Sequence, residues 1–246
     1  MINPFHQNCN KLLEAYRKGD LGQTKMPEDS NPGFSDDEIE KRLAYFTLPM
    51  ALNYQRDSYK LWESVFKTWE DKEAKQVFDV KKVSKMTDDE LRKHLTKYKV
   101  ALQPNKHVAT WKTISSTIEK EWGSFSGFIA ATNSDFLTLK DTVQMKHKKQ
   151  FPYLSGPKIF NYWSFILSEY GKVQLKNKEF IDIAPDTHIT QCSVLLGVIT
   201  QDEAIKLSKD SISERWRVLL KGSGIAPIEM HSPLWFWSRN GFIFKL

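Results

Sequence analysis

Three times the chain sets a Ser or Thr three residues ahead of a Glu at the head of an apolar-periodic stretch: Ser35-x-x-Glu38, Thr87-x-x-Glu90 and Thr200-x-x-Glu203. In that spacing the hydroxyl accepts from an orphan backbone N–H and the carboxylate reaches back to the N-cap N–H, which marks a helix start. Behind these starts apolar residues recur at three- and four-residue intervals, the period of an amphipathic helix. Helices are expected near 6–18, 36–54, 58–70, 88–98, 105–122, 134–149, 158–169, 187–198, 201–221 and 232–240. Strand-like alternation is scarce, with at most a short extended piece at 180–184, "FIDIA". The expectation is an all-α protein of about ten helices.

The stretch 19–38, "GDLGQTKMPEDSNPGFSDDE", is rich in Gly, Pro, Asp and Ser and reads as a long loop joining an N-terminal helix to the main bundle. No internal repeat or low-complexity tract interrupts the chain. A chain of 246 residues, 40% apolar, has enough material for one large domain or two small lobes with a core. From size alone we expect a single domain over 1–246 made of two helical lobes with a cleft between them. No apolar run approaches the ~20 residues of a membrane helix. The opening "MINPFHQNCNKLLEAYRKGD" turns polar too early for a secretory signal, so a cytoplasmic protein is expected, nucleoid-associated if prokaryotic. Cys9 and Cys192 alone neither frame a disulfide scaffold nor ligate an iron–sulfur cluster. His6, His94, His107, His147 and His231 lack metal-ligand spacing, so no metal and no cofactor is expected. The net charge of +6, with a pI near 9.1, permits binding to nucleic acid or another anionic surface without requiring it.

The stretch 151–163, "FPYLSGPKIFNYW", sets the turn formers Pro152, Ser155, Gly156 and Pro157 directly before Lys158. Ile159, Tyr162, Trp163 and Ile166 follow at helical spacing, which puts Lys158 in the first turn of a helix. That end of a helix carries partial positive charge and favours anions. Burial and a positive helix end both disfavour an ammonium, and a neutral amine is a nucleophile. Lys158 is therefore a candidate for Schiff-base chemistry; the plainer reading is a phosphate contact or a solvated surface lysine. In "FIDIAPDTHITQCSVLLGVI", residues 180–199, Pro185 sets up Asp186 as the N-cap of a helix from Thr187. Helix N–H groups there favour an ionised carboxylate, suited to steadying a developing positive charge. The plainer reading is an ordinary capping aspartate, and His188 either orients it or lies in the core.

A hairpin, a lysine opening a helix, then a Pro-Asp cap opening the next: this order resembles the helix-hairpin-helix DNA glycosylase superfamily. Within it the chain is most similar to the archaeal-type 8-oxoguanine glycosylases (AGOG). The likeness is carried by "RLAYFTLPMALNY…LWESVF", "PKIFNYW" and "GSGIAPIEMHSPLWFWSR", with the Asp186 region, over roughly 42–70 and 150–240. It implies a two-lobed helical glycosylase fold with its hairpin near 150–163, Lys158 as the nucleophile on the sugar and Asp186 as its electrostatic partner. It places Gln55 as the wedge that fills the gap left by the flipped base. Trp62, Tyr162, Trp163 and Trp235 become candidate walls of the base pocket. The usual hairpin reads Leu-Pro-Gly-x-Gly-x-Lys; Gly156 matches its second glycine, and Leu154 stands in place of the first. His231 stands where the family has an acidic base contact, with Glu229 nearby as a substitute.

An enzyme acting on a damaged base must extrude it from the stack, read its edge and hold the backbone. The amides of Ser155, Gly156 and Lys158 are candidates for the phosphate grip, as are Lys146, Lys148 and Lys149 in "MKHKKQ". The function implied by the resemblance is a bifunctional glycosylase and abasic-site lyase. It would act as a monomer on double-stranded DNA, without a membrane, excising 8-oxoguanine through a lysine Schiff base and β-elimination. The alternatives are a glycosylase for another damaged base and a non-catalytic helical DNA-binding module.

Overall fold

The computed structural model describes residues 3–22 and 25–246, and among these it has thirteen α-helices and no strand. In chain order they are α1 (Pro4–Lys18), α2 (Ile39–Leu52), α3 (Ser58–Glu70), α4 (Val80–Lys85), α5 (Asp88–Lys97), α6 (Pro104–Trp122), α7 (Phe125–Ala131), α8 (Phe136–Asp141), α9 (Pro157–Glu169), α10 (Thr187–Leu195), α11 (Gln201–Lys206), α12 (Lys209–Leu220) and α13 (His231–Arg239). They form two compact units. One comprises Pro27–Lys176; the other joins Met1–Met26 to Asn177–Leu246.

In the Pro27–Lys176 unit, α2 is buried from Arg42 through Leu52, Pro49 included. A helix apolar all round can only be a central one, and α3, α6, α7 and α9 pack around it. Phe34, Tyr45, Phe46, Trp62, Trp69 and Phe78 form a continuous ring cluster on one side. Arg42 is buried with the apolar residues, and its Nε donates to the carbonyl of Gly171 at 3.1 Å. A buried guanidinium needs such partners. The carboxylate of Glu40 receives the N–H groups of Phe125 (2.8 Å) and Ser126 (3.0 Å), so α2 caps the start of α7.

The second unit pairs α10 with α13 and lays α1 against α13. Tyr16 of α1 stacks on Phe236 of α13, and Phe5 meets Trp216 of α12. Asn3 caps α1, Pro4 opens it, and Gly19 closes it in the left-handed region at φ 80°. Cys9 and Cys192 are free and buried, and burial pushes both thiols up to about 12. No described helix is long and apolar enough to cross a membrane.

Several element expectations need correction. The helix expected at 36–54 begins as a 3-10 turn, Asp36–Glu38, and the Ser35–Glu38 box stands at the head of that turn, ahead of the α-helix proper. The stretch 201–221 is two helices, because Leu207 turns extended and Ser208 caps α12. The stretch 134–149 is α8, a π-helical turn Thr142–Lys146 and a 3-10 turn Lys148–Gln150. Helices α4 and α7 were not expected, and each is under two turns long, too short to show a period. The piece at 180–184 is not a strand: a 3-10 turn, Lys178–Phe180, leads into irregular chain. The loop 19–38 is partly packed, with Met26, Pro27, Glu28 and Phe34 buried.

The Thr87 and Thr200 boxes close in both directions. Thr87→Ala removes one side of its box and is expected to cost about 1 kcal/mol of stability, read from the urea midpoint.

Candidate active site

Lys158 stands in the first turn of α9. The turn ahead of it is closed by its own backbone: Ser155 N–H donates to Phe151 O at 2.9 Å and Gly156 N–H to Tyr153 O at 3.0 Å. Those two amides, expected to face phosphate, are thus already used. Gly156 contributes no side-chain cap, Pro157 has no N–H, and Phe160 N–H bonds Gly156 O. Among the described residues, that leaves the N–H groups of Lys158 and Ile159 without a backbone or side-chain acceptor, the arrangement that attracts an anion. Lys158 itself is exposed. The burial expected to favour its neutral form is not provided by this unit.

The turn does not depend on glycine torsions. Gly156 has φ −67°, and the left-handed residue is Tyr153 at φ 66°. Leu154 is fully buried and plugs the turn into the core. Phe151 stacks on Phe128 with centroids 5.4 Å apart, and Gln144 Nε2 donates to Ser155 O at 3.1 Å. Lys148 and Lys149 are exposed just before the turn. Lys146 is exposed and pairs with Asp141 at 2.7 Å.

Gln55 is exposed and left-handed, φ 48°, in the turn between α2 and α3. A glutamine in that region is uncommon and is held by its surroundings. Arg56 supplies the hold, donating to Val100 O (2.6 Å) and Lys99 O (3.0 Å). Tyr54 brings this turn to the hairpin: its ring lies 5.1 Å from that of Tyr153. The sequence reading missed Tyr54, Arg56, Lys106 and Tyr153. Their only signal was position beside a turn or a helix start, and roughly fifty residues separate each of the three segments they occupy.

The expected aromatic walls are corrected. Trp62 and Trp163 are core residues. Trp62 packs on Tyr45 and Phe46, and Trp163 donates its indole N–H to Thr47 Oγ1 at 3.0 Å. Tyr162 is half-buried and donates its hydroxyl to Glu28. Glu28 is 1% exposed, and burial pushes its carboxyl up to about 7, with the Tyr162 hydrogen bond working against the rise.

In the other unit Asp186 makes the expected N-cap, its Oδ1 accepting from Ile189 N–H at 2.9 Å. Lys209 Nζ donates to Thr190 Oγ1 at 2.9 Å one turn along. His188 does not orient Asp186: its Nδ1 pairs with Ser238 Oγ at 3.0 Å, and its ring meets Trp235 edge-on. Trp235 keeps a partly exposed ring, with the Arg239 guanidinium 4.6 Å from its centre. His231 is buried at the start of α13. Glu229 accepts from Ala226 N–H at 2.7 Å and closes its own turn. A cavity of about 500 Å³ opens along α10, with Thr187, Thr190 and Gln191 on its wall. Among the described residues no three His, Cys, Asp or Glu side chains are grouped to hold a metal.

No model of a known protein family matches this chain, and no curated protein matches it in sequence.

Two stability changes follow. Trp163→Phe leaves Thr47 Oγ1 without its donor and opens a gap in the core, so it is expected to lower unfolding free energy by about 2 kcal/mol in urea melts. Between its ordinary 4.5 and about 7, Glu28 holds a proton in the folded state that the unfolded chain has released. Stability therefore falls as pH rises through that window, by an amount on the order of 3 kcal/mol. Glu28→Gln should flatten that fall when urea midpoints at pH 5 and pH 8 are compared.

Proposed function

We propose that the protein is a DNA glycosylase with abasic-site lyase activity, acting on oxidised guanine through Lys158. The observation that carries the reading is an exposed lysine in a helix first turn, behind a closed hairpin, with two unused N–H groups beside it. The helix end suits a backbone phosphate, and the amine is then set at the neighbouring sugar. The reading extends the all-α fold to the helix-hairpin-helix glycosylase architecture. Further support comes from Gln55, exposed at φ 48° beside the hairpin, where a wedge is required. Exposed Lys148 and Lys149 supply charge without sequence preference.

In the reaction, the unprotonated Lys158 amine attacks C1′ and forms the C–N bond as the bond to the base breaks. The base leaves with the bonding pair and is protonated. Ring opening gives an iminium between Lys158 and C1′, which acidifies the C2′ proton. Loss of that proton expels the 3′ phosphate and cuts the strand. The positive charge that develops on the sugar needs a fixed carboxylate, the role that the sequence resemblance assigns to Asp186, an N-cap carboxylate. Trp62 and Trp163 stay in the core and take no part in stacking on the base.

Borohydride trapping on a duplex carrying 8-oxoguanine opposite cytosine tests the reading, with wild type beside Lys158→Gln. The expected outcome is a protein–DNA adduct with wild type and none with the variant. Asp186→Asn keeps a capping side chain and is expected to slow base release by about 10²-fold or more. Absence of adduct and base release across a panel of damaged bases, with duplex binding intact, would replace the enzyme by a binding module.

A further inference from the structure

Lys106 projects from the first turn of α6 with its Nζ 4.4 Å from the ring centre of Tyr54 and 4.8 Å from that of Tyr153. The two rings are themselves 5.1 Å apart, tilted by 58°. One ammonium thus serves two π faces from two turns that are about a hundred residues apart in sequence. Both turns are held in torsions that L-residues seldom adopt, Gln55 at φ 48° and Tyr153 at φ 66°. Such torsions persist only where the surroundings over-determine them.

The element behind Lys106 is the longest helix among the described residues. At 19 residues, α6 is about 28 Å long. The hairpin touches it at both ends: Phe151 meets Trp122 near its C-terminus, and Tyr153 lies under Lys106 near its N-terminus. Buried Trp111, Ile114 and Ile118 fix α6 in the core between them. On its other flank the Gln55 turn is tied down by Arg56. Lys106 lies over both rings, and its ammonium form is favoured first by the Tyr153 phenol and further by Tyr54, with partial desolvation working against it.

We propose that Lys106 is a positioning residue that locks the Gln55 turn and the Lys158 hairpin into one rigid body on α6, so that wedge and nucleophile keep a fixed spacing. Its role in repair rests on the glycosylase reading; the mechanical coupling does not. Lys106→Met keeps the aliphatic stem and deletes the charge, whereas Lys106→Arg keeps a cation over the rings.

Hydrogen exchange of the full-length protein reads the coupling directly. Amides of 53–57 and of 151–156 should exchange roughly fivefold faster together in Lys106→Met, in keeping with one cation–π clamp. Lys106→Arg should restore wild-type protection, and peptides from α13 should be unchanged in both variants. Unchanged exchange in either turn would overturn the proposal. So would a variant whose only defect is weaker duplex binding with the salt slope reduced by about 1, the signature of a simple phosphate contact. For the repair role, Lys106→Met should slow single-turnover base release several-fold while still trapping a preformed abasic site, which needs no wedge. Base release at the wild-type rate despite loosened turns would refute the positioning role. Absence of any adduct with wild type would instead remove the glycosylase reading and leave the exchange result to decide the clamp.

Discussion

The interior position of α2 is the constraint on which the Pro27–Lys176 unit depends. A helix buried on every face offers no side for solvent, so each neighbour must satisfy its polar groups from within. Thr47 shows how. Its hydroxyl donates to Leu43 O in the preceding turn and accepts the indole N–H of Trp163 from α9. That one hydroxyl joins the central helix to the helix that carries Lys158. Arg42 does the same at the other end, gripping the carbonyl of Gly171 just past α9. The helix α9 is therefore fastened to the core at its middle, through Trp163, and just past its C-terminal end, at Gly171. A side chain on a packed helix is placed more precisely than one on a loop.

The turn ahead of α9 is fixed by burial and not by glycine torsions. A glycine turn achieves a close approach by omitting side chains. Here Leu154 is driven into the core and Phe151 is stacked on Phe128, so hydrophobic burial supplies the fixation instead. One result is that the turn's own amides close on each other, and the open N–H groups are those of Lys158 and Ile159. Another is that Tyr153, forced to φ 66°, carries its ring toward Tyr54. Leu154 and Phe151 thereby give the turn its anchorage.

The aromatic residues divide by what their polar atoms find. Trp163 and Trp111 both bury fully because each indole N–H meets an acceptor, Thr47 Oγ1 and Val77 O. Trp235 lies at the surface of its unit under Arg239 and against His188. Periodicity placed all of them on helices and could not separate them, since a pocket wall and a core residue share one spacing. The same limit hid Glu28. It lies in a Pro-, Asp- and Ser-rich stretch that reads as solvated loop, yet it is buried against Tyr162.

What the chain determines by itself is local. Thr87 and Thr200 with their glutamates, and Asp186 after Pro185, start helices where the sequence indicates, because a cap is satisfied within three or four residues. The all-α class follows from the same short-range periods, and so does the first-turn position of Lys158. Short helices such as α4 and α7 escape because two turns cannot display a period. What only the tertiary structure decided are the contacts between distant segments: α1 grouping with the C-terminal helices, Trp62 and Trp163 turning inward, and Tyr54, Lys106 and Tyr153 converging. Those depend on which helix becomes central and on which face each neighbour must then bury. That choice is made by the packing of the whole unit and is written in no single stretch of its sequence.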